Sequence, residues 1–77
     1  MQYVVDTVEL KKLMAENHID SIAELELITG VNRNTLSSVL RGKSYPSAHV
    51  IGALIDALHI ELQNVGHIFF VSTLRIP

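Results

Sequence analysis

Between Val31 and Val50 the sequence places three cations, Arg33, Arg41 and Lys43, and not one carboxylate, although the chain has eight acidic residues and a net charge of -2. Distribution therefore says more than the sum: a locally positive surface sits on an otherwise acidic protein. Arg33 can donate to O6 and N7 of guanine, Asn34 can pair with N6 and N7 of adenine, and Ser37 and Ser38 can serve either base. Thr35, Arg41, Lys43 and Ser44 suit phosphate oxygens, contacts that position a protein on a duplex without reading its sequence. The plainer alternative is a polar, solvated helix face. The coincidence of base-edge side chains with the positive window favours the first reading.

Other chemistry finds little support. Gly30, Gly42, Gly52 and Gly66 lack phosphate-loop or dinucleotide spacing, and no serine sits in a nucleophile elbow. His18, His49, His59 and His67 show no zinc-type pairing, and the chain has no cysteine, which excludes a disulfide scaffold or thiolate metal site. Glu24 and Glu26 stand two apart on a helix and point to different sides, as solvated charges do. We expect no catalysis, no cofactor and no metal.

The elements that must position the candidate readers follow from caps and periodicity. Tyr3, Val4 and Val5 form a β-prone triplet. Asp6 and Glu9 start a helix over about 7–17, whose Leu10, Leu13 and Met14 recur at i, i+3, i+4 while Lys11, Lys12 and Glu16 point away. Ser21 and Glu24 form a capping box for a second helix, about 21–29, which Gly30 ends in a left-handed conformation. Asn32 caps a third at once, about 33–41, burying Leu36, Val39 and Leu40 and stopping at Gly42. After the turn at Ser44-Tyr45-Pro46, Ser47 caps a fourth helix, about 48–59, with Val50, Ile51, Leu54, Ala57 and Leu58 on one face and Asp56 toward water. One more helical turn can follow between Glu61 and Gly66. The β-branched and aromatic run from His67 to Ile76 predicts a strand over about 67–76.

With 77 residues, 48% of them apolar and 18% charged, the chain has room for one small domain with apolar surface to spare, not for a disordered tail. At this size a core buries only about 60% of the unfolded surface, so association is attractive. Low-charge stretches are too short to cross a bilayer, and the first residues lack the basic and apolar regions of a signal peptide, which gives a cytoplasmic expectation.

A helix, tight glycine turn and second helix at Ser21 to Gly42 is the arrangement that presents a helix to the DNA major groove. The segment resembles the helix-turn-helix of the phage Cro and repressor family, also called the Xre family. Leu25, Thr29-Gly30-Val31, Asn32, Leu36, Val39, Arg41-Gly42-Lys43 and Pro46-Ser47 carry the resemblance, continued by Ala53, Leu54, Ala57-Leu58-His59-Ile60 and Ile68-Phe69-Phe70. It implies a mainly α, lambda-repressor-like domain of four to five helices, with short N- and C-terminal strands. By the same resemblance, double-stranded operator DNA is the partner and a homodimer the binding form. Two positions depart from the family pattern. Glu26 stands four residues before the turn glycine, where a small residue is usual, and a carboxylate there must lean out to water or find a partner. Ile22 stands where a glutamine often braces a phosphate, and Leu27 and Ile28 add more apolar surface than a short helix needs.

Along the expected C-terminal strand, Ile68, Phe70, Ser72, Leu74 and Ile76 share one face and Phe69, Val71, Thr73 and Arg75 the other. It could simply pair with Tyr3 to Val5 and pack on its own helices. A strand apolar on both sides needs cover on both, however, which favours pairing plus a two-fold dimer contact through Ile68, Phe69, Phe70, Val71, Leu74 and Ile76. Two functions remain open: a transcriptional regulator of phage, prophage or plasmid type, or a non-catalytic interaction module on the same fold. The latter, an antirepressor or antitoxin-like partner, would use Ile22, Glu26 and Ile28.

Overall fold

The computed structural model describes residues 2–72. In chain order the elements are β1 (Tyr3–Val4), α1 (Thr7–Glu16), α2 (Ile22–Thr29), α3 (Arg33–Leu40), α4 (Ala48–Leu58), α5 (Leu62–Phe69) and β2 (Val71–Ser72). Four helix starts are fixed by a side chain that accepts an otherwise unpaired backbone N–H. Asp6 takes that of Glu9 at 3.0 Å, Ser21 that of Glu24 at 3.1 Å, Asn32 that of Asn34 at 2.8 Å and Ser47 that of Val50 at 3.3 Å. Gly30 closes α2 at φ 73°, its N–H donating to the Glu26 carbonyl at 2.8 Å. Since a Cβ there would meet nothing within 4 Å, backbone conformation and not crowding selects glycine.

The helices meet at one core. Leu10, Leu25, Leu36, Val39, Leu54, Leu58 and Phe69 are its most completely buried side chains. α2 packs on α3 and α4, while α1 packs on α3 and α5. The expected stripes are the buried ones: Leu10 and Met14 on α1, Leu36, Val39 and Leu40 on α3, and Val50, Leu54 and Leu58 on α4. Asn17 ties the ends of two helices, its amide donating to the carbonyls of Leu13 at 2.8 Å and Leu58 at 3.1 Å.

The expected strand over 67–76 is corrected. His67 to Phe69 complete α5, and only Val71–Ser72 is extended, while residues 73–77 lie outside the described residues. Val65, Ile68 and Phe69 recur at i, i+3, i+4, and docking them against α1 buries Ile68 to 2% and Phe69 to 0% exposure. A short apolar run carries no periodicity of its own strong enough to separate a strand from a buried helix, and the core decides. What remains of the strand does pair with the N-terminal triplet: β1 and β2 run antiparallel, with Tyr3 opposite Ser72 and Val4 opposite Val71. Asp6 N–H donates to the Ile68 carbonyl at 2.7 Å and fastens this ribbon to α5.

Candidate nucleic-acid interface

The turn between α2 and α3 is held by one side chain. The Thr29 hydroxyl donates to the Leu25 carbonyl at 2.7 Å and accepts the Val31 N–H at 3.1 Å, and the left-handed Gly30 between them reverses the chain. Val31 then enters the core at 6% exposure, so α3 begins in a fixed position relative to α2. With Leu36, Val39 and Leu40 turned inward, Arg33, Asn34 and Thr35 are exposed and Ser37 and Ser38 half-buried. Beyond the helix end Arg41, Lys43 and Ser44 are exposed as well. Arg41 Nε reaches the Ser37 carbonyl at 3.4 Å, and Lys43 N–H donates to the Ser38 carbonyl at 2.9 Å, with Gly42 between them at φ 73°. The fold thus brings the eight candidate readers and phosphate binders onto α3 and the loop after it.

The start of α3 holds a contact that the sequence only half reveals. Glu26, on α2, sends one carboxylate oxygen to the Arg33 backbone N–H at 2.9 Å. Its other oxygen accepts from Arg33 Nε at 3.3 Å and Nη2 at 3.2 Å. The carboxylate that had to lean out or find a partner has found one across the turn. Two of the N–H groups at the N-terminus of α3 are consequently satisfied internally, that of Arg33 by Glu26 and that of Asn34 by Asn32. Neither is free to bind a phosphate as open helix starts do. The side chains of Arg33 and Glu26 are 59% and 33% exposed, and an ion pair in such surroundings contributes only about 0–1 kcal/mol. Its effect is on geometry rather than on stability. A carboxylate ahead of a glycine turn, followed by an arginine just past the next cap, is the sequence signal for it.

Other expected sites are redistributed. Of the dimer candidates, Ile68 and Phe69 are spent in the protomer's own core, and Leu74 and Ile76 lie outside the described residues. Phe70 is 46% exposed and meets Tyr3 edge to face, with ring centres 5.4 Å apart, and Val71 is half-buried opposite Val4. Of the expected partner face, Ile28 is exposed, Ile22 is half-buried against the core and Glu26 is engaged by Arg33. Leu27 at 85% and Ile28 at 56% exposure are the large apolar side chains that α2 offers to solvent.

Behind the loop after α3, the Tyr45 hydroxyl donates to the Phe69 carbonyl. Burial raises its pKa above the usual tyrosine value, with a smaller push from Tyr3. A groove of about 570 Å³ among α1, the end of α4 and α5 is edged by Asp6, Glu9, Glu16 and Glu61, and no residue of α3 lines it. Among the described residues no group of histidines and carboxylates could hold a metal ion, and no helix is long and apolar enough to cross a membrane.

The arrangement is therefore a short polar helix, rigidly set by a glycine turn and flanked by cations. Residues 9–65 match the family model of the Cro/C1-type HTH DNA-binding domain. No curated protein and no solved structure matches the chain. Both the match, which spans most of the sequence, and the geometry of α2 and α3 lead to one conclusion: the chain belongs to the Cro/C1-type helix-turn-helix family of DNA-binding domains.

Proposed function

We propose that the protein is a transcriptional regulator of phage, prophage or plasmid type, without catalysis or cofactor, that reads operator DNA as a homodimer. The observation that carries this reading is the exposed face of α3, where Arg33 and Asn34 stand clear of the core in a carboxylate-free stretch of sequence that also holds Arg41 and Lys43. In this assignment Arg33, Asn34, Ser37 and Ser38 read base edges, and Thr35, Arg41, Lys43 and Ser44 hold phosphates. A two-fold pair would read inverted half-sites about 34 Å apart, one turn of the duplex. The exposed Tyr3 and Phe70 rings are the apolar surface of the terminal ribbon that a second protomer can cover.

Salt-titrated binding to the DNA upstream of its own coding sequence tests the reading. The logarithm of affinity should fall linearly with that of salt concentration. Lys43→Ala should weaken all sequences alike and flatten that line by about 0.9, one phosphate contact. Asn34→Ala should instead relax specificity at one base pair. Equal losses on operator and random DNA for both variants would refute the assignment. A second reading, an interaction module covering another protein, rests on the exposure of Leu27 and Ile28, and retention of a host protein that Leu27→Ser abolishes would favour it.

A further inference from the structure

The Glu26 carboxylate closes a ring with a single residue. One oxygen holds the backbone N–H of Arg33 and the other holds Nε and Nη2 of its side chain, so both ends of the arginine are pinned by the same group on the neighbouring helix. A free arginine side chain has many rotamers, and each bond it makes must overcome the loss of that freedom. Here much of the freedom is removed before any ligand arrives. The edge that Glu26 occupies is the inner one, Nε with Nη2. The outer edge, one N–H on each terminal nitrogen, has no partner among the described residues, and the Arg33 side chain is 59% exposed. That outer edge is itself a two-donor fork of the kind that matches O6 and N7 of guanine.

Resting on the reading of the protein as a DNA regulator, we propose that Glu26 is a positioning residue for specificity. It sets the guanidinium of Arg33 so that its outer edge reads one guanine, without touching DNA itself. Charge supports a role in discrimination and not in affinity. A carboxylate at the start of α3 repels phosphate and competes for the arginine's charge, so Glu26 lowers attraction to any duplex while narrowing the directions in which Arg33 can donate. It also takes a backbone N–H at the end of a helix that would otherwise attract phosphates of any sequence.

The test is selection of bound duplexes from a pool with a random 20-base-pair core, the length being about two turns of DNA, followed by sequencing. Wild type, Arg33→Ala, Glu26→Gln and Glu26→Ala are compared, with a thermal melt of each. Arg33→Ala should erase preference at one guanine in each half-site and so identify its base pair. Glu26→Ala should reduce preference at that same guanine by about threefold to fivefold, the most that an exposed ion pair can hold, and leave the other positions and the melting temperature nearly unchanged. Its affinity for random DNA should rise. Glu26→Gln, which keeps an oxygen to accept from the guanidinium and preserves the shape, should retain a preference between the two. Guanine preference that survives Glu26→Ala, or loosens equally at every position, overturns the positioning role alone. If Glu26→Ala fails to fold, full preference in the Glu26→Gln variant, coupled with unchanged random-DNA affinity, overturns it too. A wild-type pool that enriches no motif overturns the DNA-reading assignment itself, and the role of Glu26 with it.

Discussion

Tyr45 belongs to the loop that carries Lys43 and Ser44, yet its hydroxyl bonds to the end of α5. Its folded pKa is raised, chiefly by burial, so the neutral phenol is the form the fold favours. The stability this supplies is complete below the ordinary value of 10.0 and is lost as pH rises through the higher folded value. Tyr45→Phe should cost about 0.5–1.5 kcal/mol at neutral pH, the net worth of one hydrogen bond. The gap between the two proteins should then close in denaturant titrations carried above pH 10, because phenylalanine cannot ionise. A gap independent of pH would show that the bond does not govern the titration. This bond cannot be written down from sequence, and the Glu26 clamp only in part. Glu26 was legible as a charge in need of a partner, but which cation answered depended on how α2 and α3 cross. Tyr45 and Phe69 are 24 residues apart, and no local rule joins them.

Among the elements, local chemistry was a good guide wherever a boundary has its own cap. Ser21, Asn32, Ser47 and Gly30 stop or start helices where their side chains and backbone require. The C-terminal run failed because its boundary is set from outside: α5 has no side-chain cap bond at Glu61, and its helical form is fixed by burying Ile68 and Phe69. The two helix ends at Gly30 and His59 offer a paired check. Both residues are left-handed, at φ 73° and 52°, but only one is glycine. Gly30→Ala should destabilise by about 1 kcal/mol, and His59→Gly should stabilise by about 0.5–1 kcal/mol, because a side chain is strained in this region and glycine is not. Thermal melts read both, and changes of the same sign would contradict the account.

For the whole molecule, the dual demand on the C-terminal segment is decided by how little stability so short a chain can hold. At roughly 0.05–0.15 kcal/mol per residue the total is about 4–12 kcal/mol. Phe69→Ala, which empties the most buried aromatic site, should remove about 3–5 kcal/mol of it. Thermal melts followed by circular dichroism should therefore show a transition lowered by more than about 10 °C, not a folded monomer of unchanged stability released from a dimer, which is the result an interface role for Phe69 would give. Phe70→Ala, at an exposed ring, should leave the helices intact and, in the proposed homodimer, alter only the mass seen by light scattering. The same arithmetic gives the Tyr45 tether a further meaning. The loop between Arg41 and Pro46 is anchored at one end by α3 and near the other, through Tyr45, by the last carbonyl of α5. Swinging free means breaking that bond, so the freedom of this polar rim is coupled, by about 0.5–1.5 kcal/mol, to the helix end that docks the deepest aromatic side chain. The loop's composition is therefore not the sole influence on how it moves, because the core holds part of it in place.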